Sequence, residues 1–262
     1  MPYLNNGARP LKSHIRKEVE FEKSVKRGSR GSIVKRIQEW SCLHGHRLVA
    51  DGIFGPATEA GVKAFQSKSG LNATGTVDRS TYMAFVSPML RVLEPVRHNG
   101  TFADAVAKLA KKHLKEHPRE IGGQNRGPWV RLYMDSNEGN AWPWCAGFVT
   151  FILKQASELT GKPMPIVGSF SCDVLAMQAK QKGRFCPERD IDEHVRLTGG
   201  QPAIFLVRRT STDWTHTGFA MSFDGEVMDT LEGNTNDEGS REGYEVCERI
   251  RSFSSKDLIT LG

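Results

Sequence analysis

The chain has 262 residues, 38% of them hydrophobic and 25% charged, with a formal net charge of +6. That length supports one large or two modest buried cores, and the composition excludes a disordered, fibrous or disulfide-stapled chain. No apolar run approaches the ~20 residues that a membrane-spanning helix needs, so no membrane span is expected.

Residues 1–20, ending in KSHIRKEVE, read as an N-terminal tail. They contain no apolar stretch of the kind that drives a secretory leader, so the expectation is a chain made in the cytoplasm without a signal peptide. The positive charge favours polyanionic partners, but no basic run is interleaved with aromatics, and nucleic acid is not expected.

Residues 21–87 read as a small helical domain. Ile33, Ile37, Trp40 and Leu43 fall at helical spacing after a Gly31-Ser32 start, and His44-Gly45-His46 ends the run. Asp51-Gly52-Ile53-Phe54-Gly55 is a tight turn, Pro56 suits a first helical position, and Ala60, Ala64 and Phe65 extend an apolar face to Ser69-Gly70. The stretch from Gly52 through Phe54 and Thr58 is echoed by Gly75, Val77 and Thr81 at the same offsets, which makes a two-copy pseudo-repeat. Gly52 and Gly55 are read as turn glycines.

VKRGSRGSIVKRIQEW, DGIFGPATEAGVKAFQ and TGTVDRSTYMAF together resemble the peptidoglycan-binding domain found beside many cell-wall hydrolases. The resemblance implies peptidoglycan as the polymer partner, gripped through its stem peptide in a shallow groove.

Residues 88–100, with two prolines in SPMLRVLEPVRHN and no clear periodicity, read as a linker. Thr101 caps the next helix, FADAVAKLAKKHLKEH, which Pro118 ends, and residues 101–262 read as a second domain.

Five cysteines, Cys42, Cys145, Cys172, Cys186 and Cys247, are scattered and odd in number, so reduced thiols are expected rather than a disulfide framework. Cys145 opens a helical pattern, CAGFVTFILKQASEL, behind Trp142-Pro143-Trp144. A helix start offers unpaired N–H groups and partial positive charge, which stabilise a thiolate and can hold an oxyanion. Trp142 and Trp144 would form an apolar wall beside the sulfur and contact substrate. Cys172 also falls at a helix start, but nothing pairs it with a base.

Of eight histidines, His14, His44, His46, His98, His113, His117 and His194 read as tail, linker, packing or surface residues. His216 differs, because it opens THTGFAMSFDGEVMDTLEGNTND, in which alternation suggests two strands joined around Asp224-Gly225. With a two-residue turn there, His216 would oppose Gly233. An odd loop, or a bulge, instead puts Glu232 and Asn234 on the histidine's face. Glu232 would then fix the imidazole tautomer, and Asn234 would share that role or bind substrate. No HExxH, GxGxxG or phosphate loop occurs, so no metal or cofactor is expected.

WCAGFV around Cys145, HTGFAM around His216 and EGNTN around Glu232 and Asn234 resemble, in that order, the CHAP amidohydrolase/peptidase superfamily of papain-like cell-wall enzymes. Gln201 in GGQPAIFLV stands where many of that family carry an acidic residue. The resemblance implies an α+β fold, in which a small all-α wall-binding bundle precedes a papain-like domain with an antiparallel sheet. It implies Cys145 as nucleophile, His216 as base, Glu232 as orienting group and Asn234 as supporting polar residue. The expected function is hydrolysis of a peptidoglycan amide through a thioester, by an endopeptidase or an N-acetylmuramoyl-L-alanine amidase. A phage endolysin and a secreted antibacterial effector both fit, the latter with an immunity protein as partner. In either setting the chain acts on the wall, in the periplasm or outside the cell, after release or non-classical export. Two other expectations stand beside this one: a non-catalytic wall-binding protein, and an intracellular amidase acting on a small amide.

Overall fold

The computed structural model describes residues 11–236 and 243–262; part of the expected tail and Asp237 of EGNTND lie outside them. The chain forms two compact units, Met1–Glu94 with Arg119–Gly139 and Pro95–Pro118 with Asn140–Gly262. The fold class is α+β: a helical N-terminal region, then helices with an antiparallel sheet.

The first unit opens with α1 (Ser13–Val19), in the stretch read as a tail. His14, Ile15, Glu18 and Val19 form its buried face, so His14 is a packed residue here. α2 (Ser32–Leu43) follows Gly31, whose φ of 111° suits glycine, and buries Val34, Ile37 and Trp40, while Ile33 is only half-buried. α3 (Pro56–Lys68) starts on proline as expected, and α4 (Arg79–Phe85) is capped by Asp78, whose carboxylate accepts from the Thr81 N–H. α5 (Ser87–Leu93) occupies the stretch read as a linker. Pro88 sits in its first turn, where proline is tolerated, and Met89, Val92 and Leu93 are buried at helical spacing.

One correction explains how the pseudo-repeat works. Ala60 and Ala64 are exposed, and α3 turns Thr58, Gly61, Val62, Phe65 and Gln66 inward instead. Buried Gln66 donates from Nε2 to the Thr76 carbonyl at 2.8 Å and to Thr81 Oγ1 at 3.1 Å, and accepts from the Gly75 N–H at 2.9 Å. Gln38 repeats the pattern, donating to the Ile53 carbonyl at 3.1 Å and Thr58 Oγ1 at 3.0 Å and accepting from the Gly52 N–H at 2.8 Å. Each glutamine stitches one turn to the helix that follows it, so its amide must be inside.

α6 (Phe102–Lys115), capped by Thr101, belongs to the second unit. The chain then returns to the first unit for residues 119–139, including α7 (Pro128–Tyr133), a segment that the sequence assigned wholly to the second domain. Arg131 on α7 donates to Glu18 at 2.7 Å, to Glu39 at 2.7 Å and to Glu138 at 2.8 Å, so charges on three segments of the unit converge on one guanidinium.

The rest of the second unit contains α8 (Cys145–Thr160), α9 (Cys172–Gln181), β1 (Phe185–Cys186), α10 (Ile191–Thr198), β2 (Ala203–Thr210), β3 (Asp213–Asp224), β4 (Val227–Thr235), β5 (Glu245–Ser252) and β6 (Lys256–Thr260). The strands form one six-stranded sheet in the order β1-β6-β2-β3-β4-β5, antiparallel at every pairing. α8 buries Phe148, Val149, Ile152, Leu153 and Ala156, packs on α6, β3 and β4, and sets the Phe148 ring edge-on to Phe219 at 6.0 Å.

Candidate active site around Cys145

Register decides whether Glu232 reaches His216. β3 and β4 meet in a two-residue turn, Gly225-Glu226, with Asp224 opposite Val227. The loop is therefore even and lies one residue later than the sequence suggested. A bulge at Met221 then shifts the pairing, so that Ala220 faces Thr230 and Phe219 faces Leu231. That bulge supplies the odd step. Past it, the parity brings Gly218 beside Glu232, where a Cβ on Gly218 would lie 2.9 Å from Glu232 Cγ and 2.8 Å from the Phe205 ring. Glycine at 218 is thus what lets the Glu232 side chain lie across β3.

His216 Nε2 and Glu232 Oε2 are 2.9 Å apart, and both side chains are buried. Glu232 has further donors. Arg251 on β5 approaches it with Nε to Oε1 and Nη2 to Oε2, each 2.6 Å, and the Thr230 hydroxyl donates to Oε1 at 2.5 Å. The Arg251 guanidinium also rests over the Phe205 ring at 5.6 Å. A carboxylate with this many donors stays ionised despite burial. Although burial opposes it, the Arg251 hydrogen bonds, followed by those of His216, hold the Glu232 carboxyl at about 2. With Nε2 committed to Glu232, Nδ1 is the ring nitrogen left for Cys145.

Cys145 is the first residue of α8, as the sequence indicates, and no side chain caps that helix start. Its Sγ lies 3.9 Å from Cys172 Sγ. A hydrogen bond with Cys172, together with the hydrogen bond and charge of His216 and the Ala146 N–H, holds the Cys145 thiol well below the ordinary thiol range, against its burial. For His216, burial disfavours the imidazolium, but hydrogen bonds with Cys145 and Glu232 and the charge of each outweigh it and raise the imidazole to about 9. The two shifts point the same way, each favouring the thiolate–imidazolium form of the Cys145–His216 pair.

Asn234 is buried at φ 56°, beside the irregularity that separates Glu232↔Cys247 from Thr235↔Glu245, and among the described residues its Oδ1 has no hydrogen-bond partner. Trp144 is fully buried, which corrects its expected role in touching substrate. It packs beneath Gly233, where a Cβ would come within 2.9 Å of the indole and 2.8 Å of Phe148 Cβ. Trp142 is half-buried, with its ring edge-on to Phe170 at 6.3 Å.

Three contributors were missed by sequence reasoning: Arg251, Thr230 and Cys172. Thr230 shares the parity of Glu232 along β4, which is a readable signal. Arg251 becomes visible only once Met228 is known to face it across β4 and β5. Cys172 depends on α9 being anchored to β3, where Asp173 Oδ1 accepts from the Trp214 N–H at 2.7 Å. Among the described residues, no three His, Cys, Asp or Glu side chains are grouped so as to hold a metal ion, and no helix is long and apolar enough to cross a membrane.

Residues 30–85 match the family described as "Putative peptidoglycan binding domain". The pseudo-repeat with its paired glutamines therefore lies in a segment similar to known wall-binding domains. Among solved structures, the chain is similar to the crystal structure of a Burkholderia AP3 phage endolysin, with 27% identity, 35% of this chain and 36% of that chain covered, and a TM-score of 0.25. The chain thus spans about a third of that endolysin. No curated protein matches.

Proposed function

We propose that the protein is a cysteine-dependent peptidoglycan hydrolase, with a papain-like, CHAP-type second unit that cleaves an amide bond and a first unit that holds the polymer. The single observation that carries this reading is the chain of buried Cys145, His216 and Glu232 with half-buried Arg251, whose last three members are joined by hydrogen bonds of 2.9 and 2.6 Å. A purely structural network has no need of an anionic sulfur at an uncapped helix start. Nucleophilic attack does.

In this reading the Cys145 thiolate attacks the amide carbonyl carbon. The oxyanion forms at the start of α8, where helix N–H groups and partial positive charge stabilise it. The His216 imidazolium protonates the departing amine as the C–N bond breaks, leaving a thioester on Cys145. Neutral His216 then takes a proton from water as that water attacks the thioester, and Cys145 leaves as thiolate. Glu232, fixed by Arg251 and Thr230, keeps the ring oriented and stabilises its charged form. The match at residues 30–85 supports peptidoglycan as the substrate class, because binding the polymer raises the local concentration of its amide bonds.

The test is digestion of purified peptidoglycan, with fragments read by mass spectrometry. Wild-type protein is expected to release either new stem-peptide amino termini, indicating an endopeptidase, or lactyl-sugars with intact stems, indicating an amidase. Cys145→Ser is expected to lose at least ~10⁴-fold in rate while still sedimenting with the polymer. Equal turnover by wild type and Cys145→Ser would overturn the reading.

A further inference from the structure

Hydrolysis by the steps above uses one sulfur, yet two meet at the site. Cys172, the first residue of α9, has its Sγ 3.9 Å from Cys145 Sγ, and the residues are 7% and 4% exposed. Both sulfurs are held by ordered backbone. Ser171 caps α9 by accepting from the Val174 N–H, and the Asp173 carboxylate ties the same turn to the Trp214 N–H, two residues before His216. Nothing bulky separates the pair, and a disulfide of about 2 Å needs one sulfur to close the remaining gap.

We propose that Cys145 and Cys172 form a reversible intramolecular disulfide, with Cys172 as the resolving thiol that captures oxidised Cys145. The oxidant is a peroxide. The Cys145 thiolate attacks one peroxide oxygen, the O–O bond breaks, and hydroxide departs, leaving Cys145 as a sulfenic acid with its sulfur oxidised by two electrons. Cys172 sulfur then attacks Cys145 sulfur. The S–O bond breaks as the S–S bond forms, and the Cys172 proton leaves with the hydroxyl as water. A dithiol reductant reverses the step.

The two thiols differ in the direction this chemistry requires. The Cys145 thiol is held low, which favours the anion that attacks peroxide, while hydrogen bonding with Cys145 and burial push Cys172 well up, which favours its protonated form. Burial admits a peroxide more readily than a second protein's thiol, which favours the internal partner. Without Cys172 beside it, a sulfenic acid on Cys145 would proceed to the irreversible sulfinic acid. The disulfide ties up the attacking sulfur, so hydrolysis stops under oxidation and resumes under reduction. That functional consequence rests on the hydrolase reading above; the bond itself does not.

The experiment treats the purified full chain with hydrogen peroxide and maps its peptides without reduction. The expected product lacks two hydrogens, cross-links the Cys145 and Cys172 peptides, and reverts with dithiothreitol. Cys172→Ser and Cys172→Ala, each checked for folding by circular dichroism, are expected to add two or three oxygens at Cys145 that dithiothreitol does not remove. Cys186→Ser, outside the pair, is expected to keep the cross-link. Wild-type Cys145 that gains oxygens without the cross-link, pairs with another cysteine, or stays unoxidised while peroxide consumes other thiols would overturn the proposal, whatever the variants do. Wall hydrolysis by the reduced protein is measured in parallel. A cross-link without hydrolysis sinks the hydrolase reading alone, and hydrolysis without a cross-link sinks the disulfide alone.

Discussion

Each of the two units buries a polar network beneath an ordered turn, and the networks are built to opposite ends. In the first unit the buried amides of Gln38 and Gln66 give and accept hydrogen bonds within their own repeats, and all those partners are neutral backbone or hydroxyl groups apart from Asp51. In the second, the groups are a buried thiol, imidazole and carboxylate with a half-buried guanidinium, and their neighbours hold the thiol and carboxyl low and the imidazole high. A saturated neutral network fixes a backbone and does nothing further. A charged one in a low-dielectric setting holds a proton in an unusual place, which chemistry can use. Asn234 Oδ1, an acceptor without a donor among the described residues, belongs to the second unit too.

If this contrast is right, damage to the second network should change rates and pH dependence, and damage to the first only stability and wall binding. After the loss expected for Cys145→Ser, the next largest effect is expected for Glu232→Gln, which should cut kcat by ~10²- to 10³-fold, a loss on the scale of general acid–base catalysis. Its pH profile is the sharper readout. Wild-type activity should fall on the alkaline side as pH rises through about 9, where the imidazolium is lost. Removing the carboxylate removes a group that raises His216, so that limb should move to lower pH. A limb that stays in place would detach Glu232 from His216.

Next in size, Arg251→Met should cost about 3 kcal/mol in urea unfolding, because it strands the buried Glu232 carboxylate. The sign of the pH dependence follows from Glu232, which is depressed from 4.5 to about 2 on folding. Its contribution is present above 4.5 and lost as pH falls through about 2, so the wild-type advantage over Arg251→Met should shrink in that window. An advantage that persists to the bottom of the window would mean the arginine acts through packing on Phe205 instead.

The smallest effect belongs to the first unit. Gln66→Met should cost about 1–3 kcal/mol by leaving the Gly75 N–H and Thr76 carbonyl unpaired. It should weaken sedimentation with peptidoglycan and leave the pH profile of hydrolysis unmoved. A shifted profile would erase the contrast between the units.

Much of this was legible in the sequence, for local reasons. The starts of α2, α3, α6 and α8 are marked by Gly31, Pro56, Thr101 and Trp-Pro-Trp, and the helix start at Cys145, the strand at His216 and the parity of Glu232 single out residues that lie together. The failures are instructive because they are not local. Ala60 and Ala64 were expected inside because they are apolar, whereas Gln66 is inside because its amide has four partners waiting. Parity along β3 and β4 gave the right face, and of the two routes it left open, an odd loop or a bulge, the chain takes the bulge, at Met221. Arg251 and Cys172 enter through strand pairing and through one hydrogen bond from the Trp214 N–H to Asp173, neither of which leaves a periodic trace.

The route of the chain carries a last consequence, for modularity. The polypeptide passes from one unit to the other three times, after Glu94, after Pro118 and after Gly139. A cut in front of Thr101, which looks like a clean excision of an enzyme from its targeting tag, would carry away Arg131 while leaving Glu18 and Glu39 behind. The excised piece would keep Arg131 with Glu138 alone of its three carboxylates, and the remnant would hold buried Glu18 and Glu39 with only the longer contacts to Arg36 and Lys35. The two units are not beads on a string that recombination can shuffle at one joint; they are inherited together or re-engineered at three.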